Sequence, residues 1–440
     1  MSDNTASSSS PQLESTMFSS LDISNLKIGD DVSSLSAAEA SFTLQKFLPL
    51  QTVLSPKIRE AINQQEPTSS TAPFRSIGKG FCGEIYEKTG TNRIFKRELP
   101  QGVKKLWNDF IWHTSVYDEM LRANIEYENV RSVDTHLPLL QVPKVFSYIT
   151  PQNPTWWISN PSFPTIAPRE PSNLLEAELI PALPYVVRKA LIARYCPHDK
   201  VSALKDPTNE NCLARIYLGV RRPTRSKTAG FTLRNFELDL QILDELGLEK
   251  EYLAREMARA LAVCHWRCRT DANDVEFTLA SSPTSPIPLT TPEIATLSPN
   301  TDTSSSISAK IRTSHIWLLD FNNCSAITMD KAGVQKASKA FWDNDPYYPR
   351  PKPDEDQDEA LWRVFKDTYL DFSRTFEEGD VWERGLPGMF IDTVVREAKR
   401  RPEGLGASIG PPVTLGAPPH VRNTRDKKKG RQYPDLLPIS

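Results

Sequence analysis

Residues 77–98 read Ile77-Gly78-Lys79-Gly80-Phe81-Cys82-Gly83-Glu84-Ile85-Tyr86-Glu87-Lys88-Thr89-Gly90-Thr91-Asn92-Arg93-Ile94-Phe95-Lys96-Arg97-Glu98. The glycines Gly78, Gly80 and Gly83 have the spacing G-x-G-x-x-G, and the residues after Gly83 decide its meaning. A dinucleotide-binding turn needs a helix directly after the third glycine, because the pyrophosphate sits on that helix's N-terminus. Here the chain continues as two short apolar-alternating runs, residues 84–87 and 93–96, separated by a turn at Gly90, which predicts strands. No Gly-Lys-Ser or Gly-Lys-Thr closes the motif, so it is not a P-loop either. A glycine turn between strands, with a lysine on the next strand, lets backbone N–H groups cover nucleotide phosphates while the ammonium neutralises them. Lys96 is that lysine, and Gly78, Gly80 and Gly83 are the expected cofactor-binding glycines.

Beyond this segment, the pattern predicts an α+β chain, strand-rich first and helix-rich second. Further strands are expected at residues 74–77, 142–149 and 174–180, and a helix over 107–123. Residues 236–246 and 251–265 read as helices, the latter with Leu253, Met257, Ala260, Leu261 and Cys264 on one stripe. Val275, Phe277 and Leu279 alternate like a strand, as do Ile316 and Leu318, and helices are expected near 359–372 and 389–399. Two polar clusters flank that strand pair: Asp271-Ala272-Asn273-Asp274-Val275-Glu276-Phe277 and Leu318-Leu319-Asp320-Phe321-Asn322. With the intervening insertion removed, Asp274 and Asp320 lie about 13 residues apart, the length of a hairpin. The first cluster also reads as a capping and turn sequence at the end of a helix.

The glycine segment, Ile94-Phe95-Lys96 and these two clusters together resemble the protein-kinase-like fold. The resemblance implies a bilobal domain with an antiparallel-strand N-lobe over residues 74–190 and a helical C-lobe over 191–400. It also implies an acid on the helix after Lys96 that pairs with it, for which Glu119 is the match, with Asp118 and Glu126 as alternatives. By the same resemblance Asp320 is the magnesium ligand, Asn273 or Asp274 the second metal-side group and Asp271 the catalytic base, with ATP and magnesium as cofactors. The sequence departs from the pattern in three ways. His265 lies six residues before Asp271 with the Asp-Asn pair compressed, Asn322 stands where a glycine follows Asp-Phe, and no Ala-Pro-Glu comes after it. The reading is therefore a nucleotide-binding or pseudokinase-type regulatory or interaction protein, with an active Mg-ATP-dependent phosphotransferase as the alternative. Longer motifs, His265-Trp266, Trp317-Leu318-Leu319-Asp320-Phe321-Asn322 and Phe341-Trp342-Asp343-Asn344-Asp345-Pro346-Tyr347-Tyr348-Pro349, resemble a family of unknown function from filamentous fungi whose members are labelled zinc-finger-like. That resemblance spans roughly residues 74–375 and implies a fungal source and a kinase-like fold without an activity. The aromatic run from Asp345 to Pro351 would fall where an activation segment leaves the cleft, or serve as a proline-framed loop packing aromatics.

The zinc label has little support in the residues. Cys264, His265 and Cys268, and Cys196, His198 and Cys212, are the only clusters of N/S donors, and neither has the paired short spacing of a tetrahedral zinc site. They read as buried or free thiols, while Cys82 reads as a redox-sensitive thiol if exposed. A zinc-dependent DNA-binding protein is the remotest alternative. The 53 Lys and Arg residues are balanced by 55 Asp and Glu, a net charge of −2, which argues against a nucleic-acid partner.

The rest of the chain predicts appendages. Residues 1–34 are Ser-rich and read as a disordered arm, and residues 35–73 as a helical appendage with a second short helix from Ser55-Pro56 to Ile62. Within the insertion at 281–312, residues 281–310 contain 19 Ser, Thr or Pro, too many for a packed element. The Pro-rich stretch 151–172, with Trp156 and Trp157, reads as an ordered surface loop. The tail at 401–440 carries Arg422, Arg425, Lys427, Lys428, Lys429 and Arg431, a pattern of nuclear import or nucleic-acid patches or of mere solvation. The Ser/Thr-rich segments are expected to engage protein partners. No run of about 18 apolar residues exists, and the first twenty residues hold no Lys or Arg. The expectation is an intracellular protein, cytoplasmic or nuclear, with no membrane partner.

Overall fold

Ser36 starts the first helix, Ala37–Phe47, through a reciprocal capping box: its side chain accepts from the Glu39 N–H, and the Glu39 carboxylate accepts from the Ser36 N–H. One face of this helix carries Leu44 and Phe47, both fully buried, and packs on helix Tyr185–Tyr195. The described first part of the expected helical appendage is therefore part of the core; most of the second short helix expected from Ser55 to Ile62 lies outside the described residues. The chain then forms β1 (Val53–Leu54), which pairs with β10 (Ile311–Arg312) at the far end of the insertion. The structure, a computed structural model, describes residues 32–54, 58, 62, 72–80, 83–100, 104–130, 137–165, 170–222, 231–282, 311–351, 356–376 and 385–401. Residues 1–31 of the expected arm, most of the insertion, Phe81, Cys82 and the tail from 402 onward lie outside these. Val32, at the end of the arm, is buried. The described residues of the stretches expected as two lobes, 74–190 and 191–400, fall within one compact unit.

A five-stranded antiparallel sheet has the order β2 (Phe74–Lys79), β3 (Gly83–Lys88), β4 (Arg93–Glu98), β6 (Leu174–Glu178), β5 (Val145–Ile149). Register shifts between Ser76 and Gly78, so the glycine segment is bulged away from a regular ladder. Helix Lys105–Val130 connects β4 to β5 and packs on β4, β5 and β6. The sheet also carries an aromatic cluster of Phe74, Tyr86, Phe95 and Phe163. The Pro-rich stretch supplies its cover: Asn153 caps a short helix, Pro154–Ser159, which sets Trp156 5.5 Å from Phe95 and 5.4 Å from Phe163. Proline at the first helical turn and an Asn cap explain why a stretch expected as a loop holds a helix.

The second sheet has the order β11 (Ser314–Leu319), β9 (Glu276–Ser281), β7 (Ala214–Tyr217), β8 (Glu237–Asp239). β9 and β11 pair antiparallel with Glu276 opposite Leu319, the hairpin expected around the insertion. The helix expected over 236–246 starts later, as Leu240–Leu246: the preceding residues form β8, parallel to β7, and Asp239 caps the helix by accepting from the N–H groups of Gln241 and Ile242. Helix Lys250–Ala262, which ends in a π-turn at Val263–Arg267, packs against Asp356–Ser373, and Lys331–Asp343 packs against Leu386–Ala398. Tyr347 and Tyr348 of the proline-framed loop are buried, with the Tyr348 ring stacked on Phe341 at 5.1 Å.

Three histidines are buried in these layers. Burial pushes His265 down to about 3 and His315 down to about 4, whereas an unfolded chain titrates near 6.5. The folded state therefore keeps them neutral where the unfolded state binds protons. Their contribution is complete above about pH 6.5 and is lost as pH falls through each folded value. A series of urea midpoints is expected to fall steeply from about pH 6 to pH 4. Replacing His265 by Gln should flatten that slope even if it lowers stability at neutral pH, and an unchanged slope would sink the assignment.

Candidate functional site

Gly83 opens β3 directly over Lys96 of β4. A Cβ at Gly83 would lie 2.9 Å from Lys96 Cγ and 3.0 Å from the Arg97 carbonyl, so only glycine lets the lysine pass beneath. Gly80 donates its N–H to the Gly83 carbonyl at 2.8 Å. Gly78 and Gly80 have no such crowding: a Cβ there would meet Ile85 at 3.6 Å and the Gly83 carbonyl at 3.9 Å, ordinary contact distances. Lys96 Nζ donates to Asp109 Oδ2 at 2.7 Å and to Asp320 Oδ1 at 2.9 Å. Burial alone would lower its pKa, but the two carboxylates outweigh that and hold the ammonium well above its ordinary value.

The partner on the helix after Lys96 is thus Asp109, not Glu119. Asp109 is 2% exposed, and its other oxygen accepts from the Phe321 N–H at 3.1 Å. One helical turn on, His113 contacts the Pro143 carbonyl at 2.8 Å with its ring against Phe321; burial keeps the imidazole below its ordinary pKa despite Asp109 nearby. Glu119 instead pairs with Arg122 and, at 3.9 Å, with Arg267; Glu126 also meets Arg267, and Asp118 is exposed. Ten residues of helix advance about 15 Å, so only the first turns reach the lysine. The usable signal in the sequence is an acid near the helix start, where Asn108-Asp109 reads equally well as a cap.

Asp320 and Asp274 line one cavity of about 980 Å³ together with Lys96, Gly78, Gly80 and Gly83. Both aspartates have left-handed backbones, φ 62° and 64°, as do Ala272 and Arg269 at 51° and 54°. Such backbone costs about 1–3 kcal/mol per residue and persists only where surroundings over-determine it. The Asn344 side chain does so here, accepting from the Asp274 N–H and donating to the Ala272 carbonyl at 3.0 Å. Asn322 donates to Asp320 and Asn323 to Asp274, leaving one oxygen of each carboxylate without a hydrogen bond among the described residues. Burial raises the Asp274 pKa above the ordinary carboxylate value.

Asp271 and Asn273 do not line the cavity. Asp271, 4% exposed, accepts from the Ser325 N–H at 2.8 Å, the Ser325 hydroxyl at 2.6 Å and the Asn273 N–H at 3.2 Å. It clasps the two polar loops together, which corrects its expected place as a base. Asn273 donates to the Asn323 carbonyl at 3.3 Å, so of the two metal-side alternatives Asp274 is the one brought to the cavity. Sequence reasoning misses Asp109, Glu276 and Arg215 among the cavity residues; the last two form an ion pair across β7 and β9. Burial pushes the Glu276 carboxyl up, against the pull of Arg215. The Arg234 guanidinium donates to the Lys79 carbonyl, tying the glycine segment to the chain before β8.

The donor set at Asp274 and Asp320 is oxygen-only and faces an ammonium, which fits magnesium held with phosphates by one or two carboxylates. Zinc does not fit. Burial pushes the Cys268 thiol up to about 12 and those of Cys264 and Cys324 well above their ordinary value. A zinc-binding thiolate is the form that burial opposes. Among the described residues no group of three or more His, Cys, Asp or Glu side chains is placed to hold a metal ion, and no helix is long and apolar enough to cross a membrane. No curated protein and no solved structure matches this chain. Residues 316–380, which run from β11 through Asp320 into helix Asp356–Ser373, match the model of a family of unknown function described as "Zinc finger protein"; they contain one cysteine and no histidine, so zinc-finger chemistry does not reside in them.

Proposed function

We propose that the chain binds a magnesium nucleotide in a protein-kinase-like cleft and acts as a pseudokinase-type regulatory or interaction protein. The observation that carries this reading is Lys96, beneath Gly83 and paired with both Asp109 and Asp320 at the wall of the cavity. The strand order supports it, with a glycine hairpin at the sheet edge and a helix inserted after the lysine strand. So does the β9–β11 hairpin, whose open end carries Asp274 just before β9 and Asp320 just after β11. In this reading the glycine segment and Lys96 hold phosphate, and Asp274 and Asp320 hold magnesium. Phosphoryl transfer would further need a base near the acceptor, and Asp271 is committed to Ser325 instead. That is why binding is preferred over catalysis. The Ser/Thr-rich segments, outside the described residues, are the proposed contacts for protein partners.

Calorimetry with the full chain tests this. Mg-ATP is expected to bind, chelation of magnesium to weaken it, and Asp320→Asn to weaken it about tenfold or more while leaving the protein folded. A folded wild-type chain that takes up no Mg-ATP refutes the proposal.

A further inference from the structure

Glu276 opens β9 and stands across from Leu319, so Asp320 lies one residue beyond its cross-strand partner. Asp274 lies two residues before it, and all three carboxylates line the same cavity. Unlike the other two, Glu276 is anchored from behind. Its Oε1 accepts from the Arg215 guanidinium, which also donates to Asp345 Oδ2 at 3.2 Å, and the Tyr217 hydroxyl donates to that same Asp345 oxygen at 2.7 Å. This network fixes the carboxylate's orientation. Its Oε2 accepts no hydrogen bond among the described residues, and the side chain keeps 19% of its exposure in a residue that lines the cavity.

Further along the same strand, Thr278 also lines the cavity, and its hydroxyl is buried with no partner among the described residues. The floor beyond the phosphate end is therefore polar, with Glu276 Oε2 and the Thr278 hydroxyl left without partners among the described residues. A part-buried carboxylate oxygen left without a donor is costly, so a ligand that supplies one is favoured over one that does not. In a nucleotide the group next to the phosphates is the sugar, whose vicinal hydroxyls are donors that an acidic side chain accepts well in other nucleotide sites.

We infer that Glu276 accepts hydrogen bonds from the sugar hydroxyls of the bound nucleotide and makes the cleft selective for ribose over deoxyribose ligands. The inference rests on the nucleotide reading above and adds a specificity-determining residue to it. Arg215, Tyr217 and Asp345 act through Glu276 as positioning residues.

The test compares Mg-ATP, its 2′-deoxy and 3′-deoxy forms and Mg-tripolyphosphate by calorimetry on the full chain. Wild type is expected to bind at least one deoxy form about ten- to hundredfold more weakly than ATP. Glu276→Ala should weaken ATP by a similar factor, erase the discrimination and leave tripolyphosphate binding unchanged. Wild type that binds ATP and both deoxy forms equally overturns the inference alone, with no variant needed. Discrimination that persists in folded Glu276→Ala or Glu276→Gln also overturns it. Binding of neither Mg-ATP nor Mg-tripolyphosphate overturns the nucleotide reading and this inference together.

Discussion

Lys96→Met is expected to abolish Mg-ATP binding and to lower the unfolding free energy by about 3–5 kcal/mol, the usual result of removing one partner from a buried ion pair. The size comes from Asp109. Its side chain is 3% exposed, and without Lys96 it keeps, among the described residues, only the Phe321 N–H as a donor. Asp320, with its side chain 29% exposed, can be rehydrated and adds little to the loss. The pH dependence has a definite sign. A raised ammonium pKa gives stability that is complete below the ordinary lysine value of about 10.4, so the deficit should not fade between about pH 6 and pH 9. Urea unfolding of Lys96→Met, Asp109→Asn and the double variant checks the assignment. Adding Asp109→Asn to Lys96→Met should recover most of the stability without recovering binding. If the two losses simply add, Asp109 is not the lysine's partner in solution.

Gly219→Ala is expected to cost about 3 kcal/mol, at the upper end for overpacking. A Cβ there would lie 2.5 Å from the Tyr348 carbonyl and 3.1 Å from the Pro346 carbonyl. Neither is a flexible side-chain end that can move aside. The same contact zips the proline-framed loop to the end of β7, with Leu218 and Gly219 donating to the Tyr347 and Pro346 carbonyls at 2.9 Å each. Shifting the loop displaces Asp345 from Arg215 and Tyr217, and with them the support of Glu276. Ligand binding should therefore weaken along with stability. Gly90→Ala is the control: nothing lies within 4 Å of its Cβ position, and its φ of 76° costs only the left-handed backbone, about 1 kcal/mol. Equal urea midpoints for the two variants would remove the steric argument.

The match at residues 316–380 gains physical content from this geometry. That stretch holds the second strand of the hairpin, Asp320, the Ser325 clasp of Asp271 and the aromatic loop that docks on Gly219. It carries one wall of the cavity, while the glycine segment, Lys96 and Asp109 come from other parts of the chain.

Local chemistry makes several parts of the molecule readable from residues alone. The glycines, the strand after them and Lys96 are recognisable because a tight turn between strands and a lysine on the following strand are each short-range features. The hairpin ending at Asp320 is recognisable for the same reason once the Ser/Thr/Pro insertion is set aside. Buried thiols at Cys264 and Cys268 are legible from the apolar stripe on which Cys264 lies.

Other assignments depend on distances that no local pattern encodes. Periodicity identifies the helix after Lys96 but not which of its turns meets the sheet, and the choice between Asp109 and Glu119 is a matter of about 15 Å along one axis. Asp271, Asn273 and Asp274 are close in sequence. Which of them faces the cavity is set by left-handed backbone at Ala272 and Asp274, held by Asn344 from a distant helix end. The helix Lys331–Asp343, which the residue pattern leaves unassigned, and the docking of Ala37–Phe47 into the core likewise become visible only through packing. Residue order was enough for the α+β class, the glycine-lysine motif and the strand pair that ends in Asp320, because turns and alternation are properties of neighbouring residues. The partner of Lys96, the choice of Asp274 over Asn273 at the cavity, the clasp of Asp271 on Ser325 and the anchoring of Glu276 were settled in three dimensions, because a buried charge takes the partner that folding brings within about 3 Å.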